Sequence, residues 1–138
     1  MLFIPQKSKY KKYQKGKAYN RINSKIFFNQ LNFGSVGLKA LYFTHLTSKQ
    51  ILTLYKSLKK IIKKKGKIKF NIYPHSPISK KPNEIRMGKG KGNINHWVFK
   101  IKPGFVLCEI ETATLQLALR AIKYAQIKLP IKTKIIFN

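Results

Sequence analysis

Apolar positions along this chain follow two periods, one helical and one alternating. Ile51, Leu54, Tyr55, Leu58, Ile61 and Ile62 share one face when wound at about 100° per residue. Lys49, Lys56, Lys59, Lys60, Lys63 and Lys64 fall opposite, with Leu52 among them as an exception. Thr47 reads as the N-cap, Gln50 three residues on completes a capping-box pattern, and Gly66 stops the run. A second helix is expected from Thr112 or Thr114 to Lys128, ended by Pro130. Leu115, Ala118, Leu119, Ile122 and Ala125 line its apolar face, and the alanines allow close approach to a sheet.

Elsewhere the period is two. Residues 26–28 and 38–43 read as short strands separated by Gly34 and Gly37. Ile68, Phe70 and Ile72 alternate with Lys69, Asn71 and Tyr73, as a half-buried strand does. Trp97, Phe99 and Ile101 alternate again, which makes Trp97 a core residue sharing their face rather than a stacking platform. Pro103-Gly104 then reads as a turn, with residues 105–110 as the returning strand of a hairpin. Thr133, Ile135 and Phe137 close the chain as a last strand. Together these elements predict an α+β fold: two amphipathic helices packed on a mostly antiparallel sheet, with a basic N-terminal arm and a long Gly/Lys-rich loop.

The arm comprises residues 1–23, and residues 24–138 form a single domain. No hydrophobic period runs through the arm, so it is not expected to fold alone. It carries Lys7, Lys9, Lys11, Lys12, Lys15, Lys17 and Arg21, interleaved with Tyr10, Tyr13 and Tyr19. Lysines neutralise phosphates while tyrosines stack on unpaired bases, so these cations are read as RNA contacts; a solvated tail is the plainer alternative.

Charge changes the picture most. Thirty Lys plus Arg face three acids, Glu84, Glu109 and Glu111, for a formal net charge of +27. Such an excess works against the compact state unless a polyanion neutralises it, and nucleic acid is the expected one. No apolar run approaches the length of a bilayer span, so membrane insertion is not expected. Only Arg21, Arg86 and Arg120 are arginines. Lys, Ile and Asn share A/T-rich codons, which points to drift in an A/T-rich genome, organellar or bacterial.

Catalytic chemistry finds no support. Glu109 and Glu111 share strand parity, a spacing open to paired-carboxylate chemistry, but local charge compensation is the simpler reading among so many lysines. His45, His75 and His96 lie far apart with no nearby carboxylates, so no metal site and no cofactor are expected. Cys108 is the only cysteine and reads as a buried, inert thiol.

Residues 74–95 are expected to form one long loop, with Pro74, Pro77 and Pro82 before Gly88, Gly90 and Gly92. Within it, Lys80-Lys81-Pro82-Asn83-Glu84-Ile85-Arg86-Met87-Gly88-Lys89-Gly90-Lys91-Gly92-Asn93 is the most informative stretch. Neither a Walker loop nor a dinucleotide fingerprint fits its register. Alternating Gly and Lys instead lets the backbone approach a folded RNA while each lysine reaches a phosphate.

The run Arg86-Met87-Gly88-Lys89-Gly90-Lys91-Gly92, followed by Trp97-Val98 and Lys102-Pro103-Gly104, resembles the signature of the bacterial-type large-subunit ribosomal protein L-sixteen family. Further matches are Phe33-Gly34 with Gly37-Leu38, Thr47-Ser48-Lys49-Gln50-Ile51, Gly66-Lys67-Ile68 and Lys128-Leu129-Pro130-Ile131-Lys132-Thr133-Lys134. The resemblance covers nearly the whole chain in order. It implies an α+β fold, binding to large-subunit rRNA near the peptidyl-transferase region and the A-site tRNA, and neighbouring large-subunit proteins as partners. It also implies rRNA contacts from Lys80, Lys81, Arg86, Lys89, Lys91, Lys132 and Lys134. Arg86, Met87, Gly88, Lys89, Gly90 and Lys91 would lie nearest the tRNA and the functional centre.

The chain departs from the family pattern at residues 42–45, which lack the usual acidic-proline character, and at His75 and His96. Those departures and the lysine-rich helices suggest a drifted, organelle-encoded member in a mitochondrial ribosome, with a plastid or an A/T-rich bacterium as the alternative. A free nucleic-acid-binding factor, such as an RNA chaperone, is the alternative function.

Overall fold

The computed structural model describes Pro5, residues 8–14 and residues 31–138 of the chain. The strand expected at 26–28 lies outside these residues, as do Lys7, Lys15, Lys17, Tyr19 and Arg21 of the arm.

The helix with the clearest sequence signals forms as expected. Helix α1 covers Ser48–Ile62. The Gln50 amide N–H donates to Thr47 Oγ1 at 3.3 Å, and the Thr47 N–H donates to Gln50 Oε1 at 2.9 Å. That reciprocal pair satisfies two of the free donors at a helix start. Ile51, Leu54, Leu58 and Ile62 are wholly buried, and Tyr55 and Ile61 pack against them. Full burial stabilises each such side chain by about 1.5–3 kcal/mol. The stop differs from expectation. Lys63, not Gly66, takes a positive φ (51°) at the helix end, and its N–H returns to the Lys59 carbonyl. Gly66 instead opens a strand, where a Cβ would lie 2.5 Å from the Glu111 carbonyl oxygen.

Helix α2, Leu115–Gln126, starts after Thr114 without a side-chain cap bond. It buries Ala118, Ala121, Ile122 and Ala125, with Leu119 packed against the core. Leu115 was expected on that face but is half exposed, because it lies in the first turn, ahead of the contact with the sheet.

The strands are β1 (Val36–Ala40), β2 (Thr44–Thr47), β3 (Gly66–Phe70), β4 (Ser76–Lys80), β5 (Asn93–Ile101), β6 (Val106–Thr112) and β7 (Thr133–Phe137). They divide between two antiparallel sheets, β3-β6-β1-β7 and β2-β5-β4, so the α+β class holds with its strands split. Helix α2 packs on β1 and β6, α1 on β2 and β5, and the helices pack on each other. One apolar core runs between the helices and both sheets, from Val36 and Leu38 through Leu46, Leu54 and Ile122 to Ile101 and Ile110.

Two expected features give way to this split. The strand read as 38–43 ends at Ala40, and the chain crosses through exposed Leu41 and Tyr42 to β2. Pro103-Gly104 makes a turn but no hairpin. Gly104 N–H donates to the Ala40 carbonyl at 2.8 Å, and Ala40 N–H donates to the Phe105 carbonyl at 2.9 Å. These bonds carry the chain from β5 in one sheet to β6 in the other. Trp97 is half-buried, while Val98 on the opposite face is almost fully buried. The small sheet is therefore covered on both faces at that point.

Candidate nucleic-acid interface

Strand β4 redraws the long loop. Residues 76–80 pair with β5, so the connection without regular structure shortens to residues 81–92. Pro77 fits because β4 is an edge strand, where a missing N–H costs no ladder bond on its open side. What remains is a loop rooted on rigid elements. It carries Lys81, Arg86, Lys89 and Lys91 against the single acid Glu84.

Its glycines have two distinct roles. Gly88 and Gly90 lie at φ +99° and +81° with open space around them, and Lys89 between them is also left-handed. They turn the tip without crowding. Gly92 is the neck: a Cβ there would lie 2.7 Å from the Lys80 carbonyl carbon and oxygen. The two legs of the loop touch at that point, and only glycine lets them.

The tip is open to solvent. Arg86 and Lys89 are exposed, and Met87 is 99% exposed beside a half-exposed Ile85. Below the tip, Lys81 Nζ donates to the Gly88 carbonyl across the loop. A groove of about 450 Å³ opens at the neck, lined by Lys80, Lys81, Asn83 and Asn93.

The arm meets the loop directly. Lys12 Nζ donates to the Lys91 carbonyl at 2.8 Å, and Lys91 Nζ donates to the Tyr13 carbonyl. Two like-charged segments are thus clasped through backbone oxygens, with no acid between them. Lys9 Nζ stands 5.5 Å above the Tyr10 ring, and Lys11 is exposed. Such a concentration of cations favours a bound anion. Sequence reasoning found the arm and the loop separately but missed their clasp, since carbonyl acceptors leave no mark in a sequence.

The other candidate contacts lie elsewhere. Lys132 and Lys134 are exposed at strand β7 of the four-stranded sheet, with Lys134 opposite Lys39. Lys49, Lys56, Lys59 and Lys60 make the exposed face of α1, continued by Lys63 and Lys64 in the turn after it, and Arg120 joins Lys60 across a groove between the helices. The structure therefore gathers Lys12, Lys81 and Lys91 at the loop and leaves the helix and β7 cations as separate surfaces.

The groups weighed for catalysis resolve as follows. Glu109 is 2% exposed, in the centre of the larger sheet. Its Oε2 accepts from the Phe33 N–H at 2.6 Å and its Oε1 from Asn71 Nδ2 at 2.7 Å. It stands opposite Lys69, and Glu111 opposite Lys67, so the register gives each acid a lysine neighbour. With both its oxygens taken, Glu109 holds the segment before β1 against the sheet. Cys108 is fully buried, and burial followed by the nearby Glu109 charge pushes its thiol up to about 12, leaving it inert. Burial and then Lys100 hold His45 below its ordinary value. Among the described residues no cluster of three His, Cys, Asp or Glu could hold a metal, and no helix is long and apolar enough to cross a membrane.

Residues 5–136 match the family model for ribosomal protein L16p/L10e. The chain is 44% identical over 134 residues to the large ribosomal subunit protein uL16c of Euglena longa, covering 97% of both chains. It is 46% identical over 132 residues to the large ribosomal subunit protein uL16 of Wigglesworthia glossinidia brevipalpis, covering 94% of this chain and 92% of the relative.

Proposed function

Because the chain belongs to the ribosomal protein L16p/L10e family, we propose that it binds large-subunit rRNA near the peptidyl-transferase region and the A-site tRNA. Its coarser role follows from the family: it is a structural component of a large ribosomal subunit, not an enzyme, and rRNA and neighbouring ribosomal proteins are its partners. The observation that carries the finer reading is the clasp of arm and loop beneath a solvent-exposed tip. A rooted loop loses less freedom on binding than a free one, so more of its contact energy remains as affinity.

The mechanism is electrostatic. Lysines of the arm (residues 1–23), of the loop and of β7 displace counterions from phosphates, which makes binding fall as salt rises. The domain of residues 24–138 fixes where those lysines stand, and phosphate contacts set register without reading sequence. In this reading Lys9, Lys11, Lys12, Lys80, Lys81, Lys132 and Lys134 hold the rRNA. Arg86, Met87, Gly88, Lys89, Gly90 and Lys91 reach the functional centre.

The ribosome in question is proposed to be mitochondrial, on the departures from the family pattern at residues 42–45, His75 and His96 and on the lysine-rich helices. The chloroplast and bacterial relatives favour a second reading, a plastid or an A/T-rich bacterium, and the genomic location of the gene decides between them.

Replacing Lys89 and Lys91 with Ala tests the division of labour. The double variant should still sediment with large subunits, because arm and body supply most phosphate contacts, while its ribosomes translate more slowly. Translation at the normal rate would overturn the assignment of the loop to the functional centre.

A further inference from the structure

The outer face of the three-stranded sheet is roofed. Register places His45 opposite Lys100 and Ser76 opposite Val98. Alternation puts these four on one face, while Leu46, Phe99 and Ile101 turn to the core on the other. Arm residues Tyr13 and Gln14, with Lys91 of the loop, close over that outer face and leave a cavity of about 410 Å³. It falls in the size range of pockets that enclose small ligands.

Its lining is unlike that of a plain apolar cleft. Lys91 and Lys100 bring ammonium groups, Ser76 and Ser79 bring hydroxyls, and His45 and Tyr13 bring rings. No carboxylate lines it. His45 is steadied by an edge contact with Phe43, ring centroids 5.3 Å apart. Held below its ordinary value, its imidazole is neutral near pH 7 and offers one donor and one acceptor. A ligand matching this lining needs a flat ring with donors and acceptors on its edge, and a negative charge at its border.

We propose that this cavity seats one unstacked nucleotide of the bound RNA. Its base lies between Tyr13 and His45, and its phosphate lies at Lys91 and Lys100. Splayed, unpaired bases are the usual objects of sequence-specific RNA recognition, read by rings and by hydrogen bonds to the base edge. The inference rests on the RNA-binding reading above and deepens it: phosphate contacts elsewhere position the protein, and this one seat reads a base. It also explains why the arm closes over the small sheet rather than extending from it.

The test is base-specific chemical probing of rRNA in large subunits assembled with wild-type, His45→Ala or Ile78→Phe protein. His45→Ala removes the ring, while Ile78→Phe narrows the cavity from the sheet side and leaves the arm's contacts in place. The expected result is a several-fold rise in reactivity at one and the same unpaired base in both variants, with backbone protections elsewhere unchanged. Unchanged base reactivity in Ile78→Phe subunits would overturn the proposal, as would cross-linking of Tyr13 in wild-type subunits to protein rather than RNA. Failure of the underlying reading looks different: wild-type protein itself would then leave no protections on the rRNA.

Discussion

Glu109 offers the sharpest test of what holds the segment before β1 in place. Changing it to Ala removes the acceptor for the Phe33 N–H and for Asn71 Nδ2. A buried donor left without a partner costs about 1–3 kcal/mol. Phe33 and Asn71 are only half-buried, so water reaches them in part and the lower half of that range applies to each. Relief of the buried charge offsets some of the loss, and the vacated space adds to it. The net expectation is a loss of about 3 kcal/mol, a large share of the 5–15 kcal/mol typical of a folded domain. Glu109→Gln keeps the shape. Its Oε1 can still accept from Phe33, and its Nε2 can donate to Asn71 once that amide turns over. Only charge assistance is lost, about 1 kcal/mol. The assay is urea unfolding followed by Trp97 fluorescence at high salt, where the net charge is screened, with equal m-values required. Hydrogen exchange at the Phe33 amide should rise in the Ala variant and stay protected in the Gln variant. A Glu109→Ala cost below about 1 kcal/mol would refute the hydrogen-bond account. Equal damage from Gln and Ala would mean that the negative charge beside Lys69, not the bonds, is what matters.

Three further outcomes are expected. Gly92→Ala should force the legs of the loop apart, costing about 1–3 kcal/mol by crowding and weakening rRNA protection at the loop. Gly88→Ala meets no atom but must hold φ +99°, so its cost is backbone strain of about 1–2 kcal/mol with the legs still in contact; an equal loss of rRNA protection at the loop in both variants would contradict the neck. Cys108 should resist thiol reagents until the protein unfolds. Its folded value, about 12, lies above the ordinary 9.0. The stability gained from a protonated thiol is thus complete below pH 9 and lost as pH rises toward 12. The urea-midpoint gap between wild type and Cys108→Ala should therefore shift against wild type across that window. Thr47→Ala should cost about 1 kcal/mol in the same urea assay by opening the capping box of α1.

Helix α1 was legible because cap, period and charge all agreed along Ser48–Ile62. The loop was legible because its Gly/Lys alternation suits no regular element. Strand β4 was hidden by Pro74 and Pro77, which read as loop until the open edge of a sheet is in view. The split into two sheets was hidden for another reason. Alternation marks a strand and its faces but not its partner, so β5 and β6 looked like a hairpin although Ala40 takes the turn's bonds. Glu109 had left a signal, one acid set among Val106, Leu107, Cys108 and Ile110, but its partners at Phe33 and Asn71 are far off in sequence. The clasp of Lys12 and Lys91 had left none. The arm's lysines read as RNA contacts, and the described ones, Lys9, Lys11 and Lys12, are all exposed and open to that role. Lys12 also donates to the Lys91 carbonyl of the loop.

The most direct measurement is sedimentation of a tagged copy through a density gradient, in extracts washed at rising salt. The account predicts co-migration with the large subunit, retained through moderate salt and released only when high salt competes with many phosphate contacts at once. Migration with free nucleic acid or membranes, lost already at low salt, would contradict it.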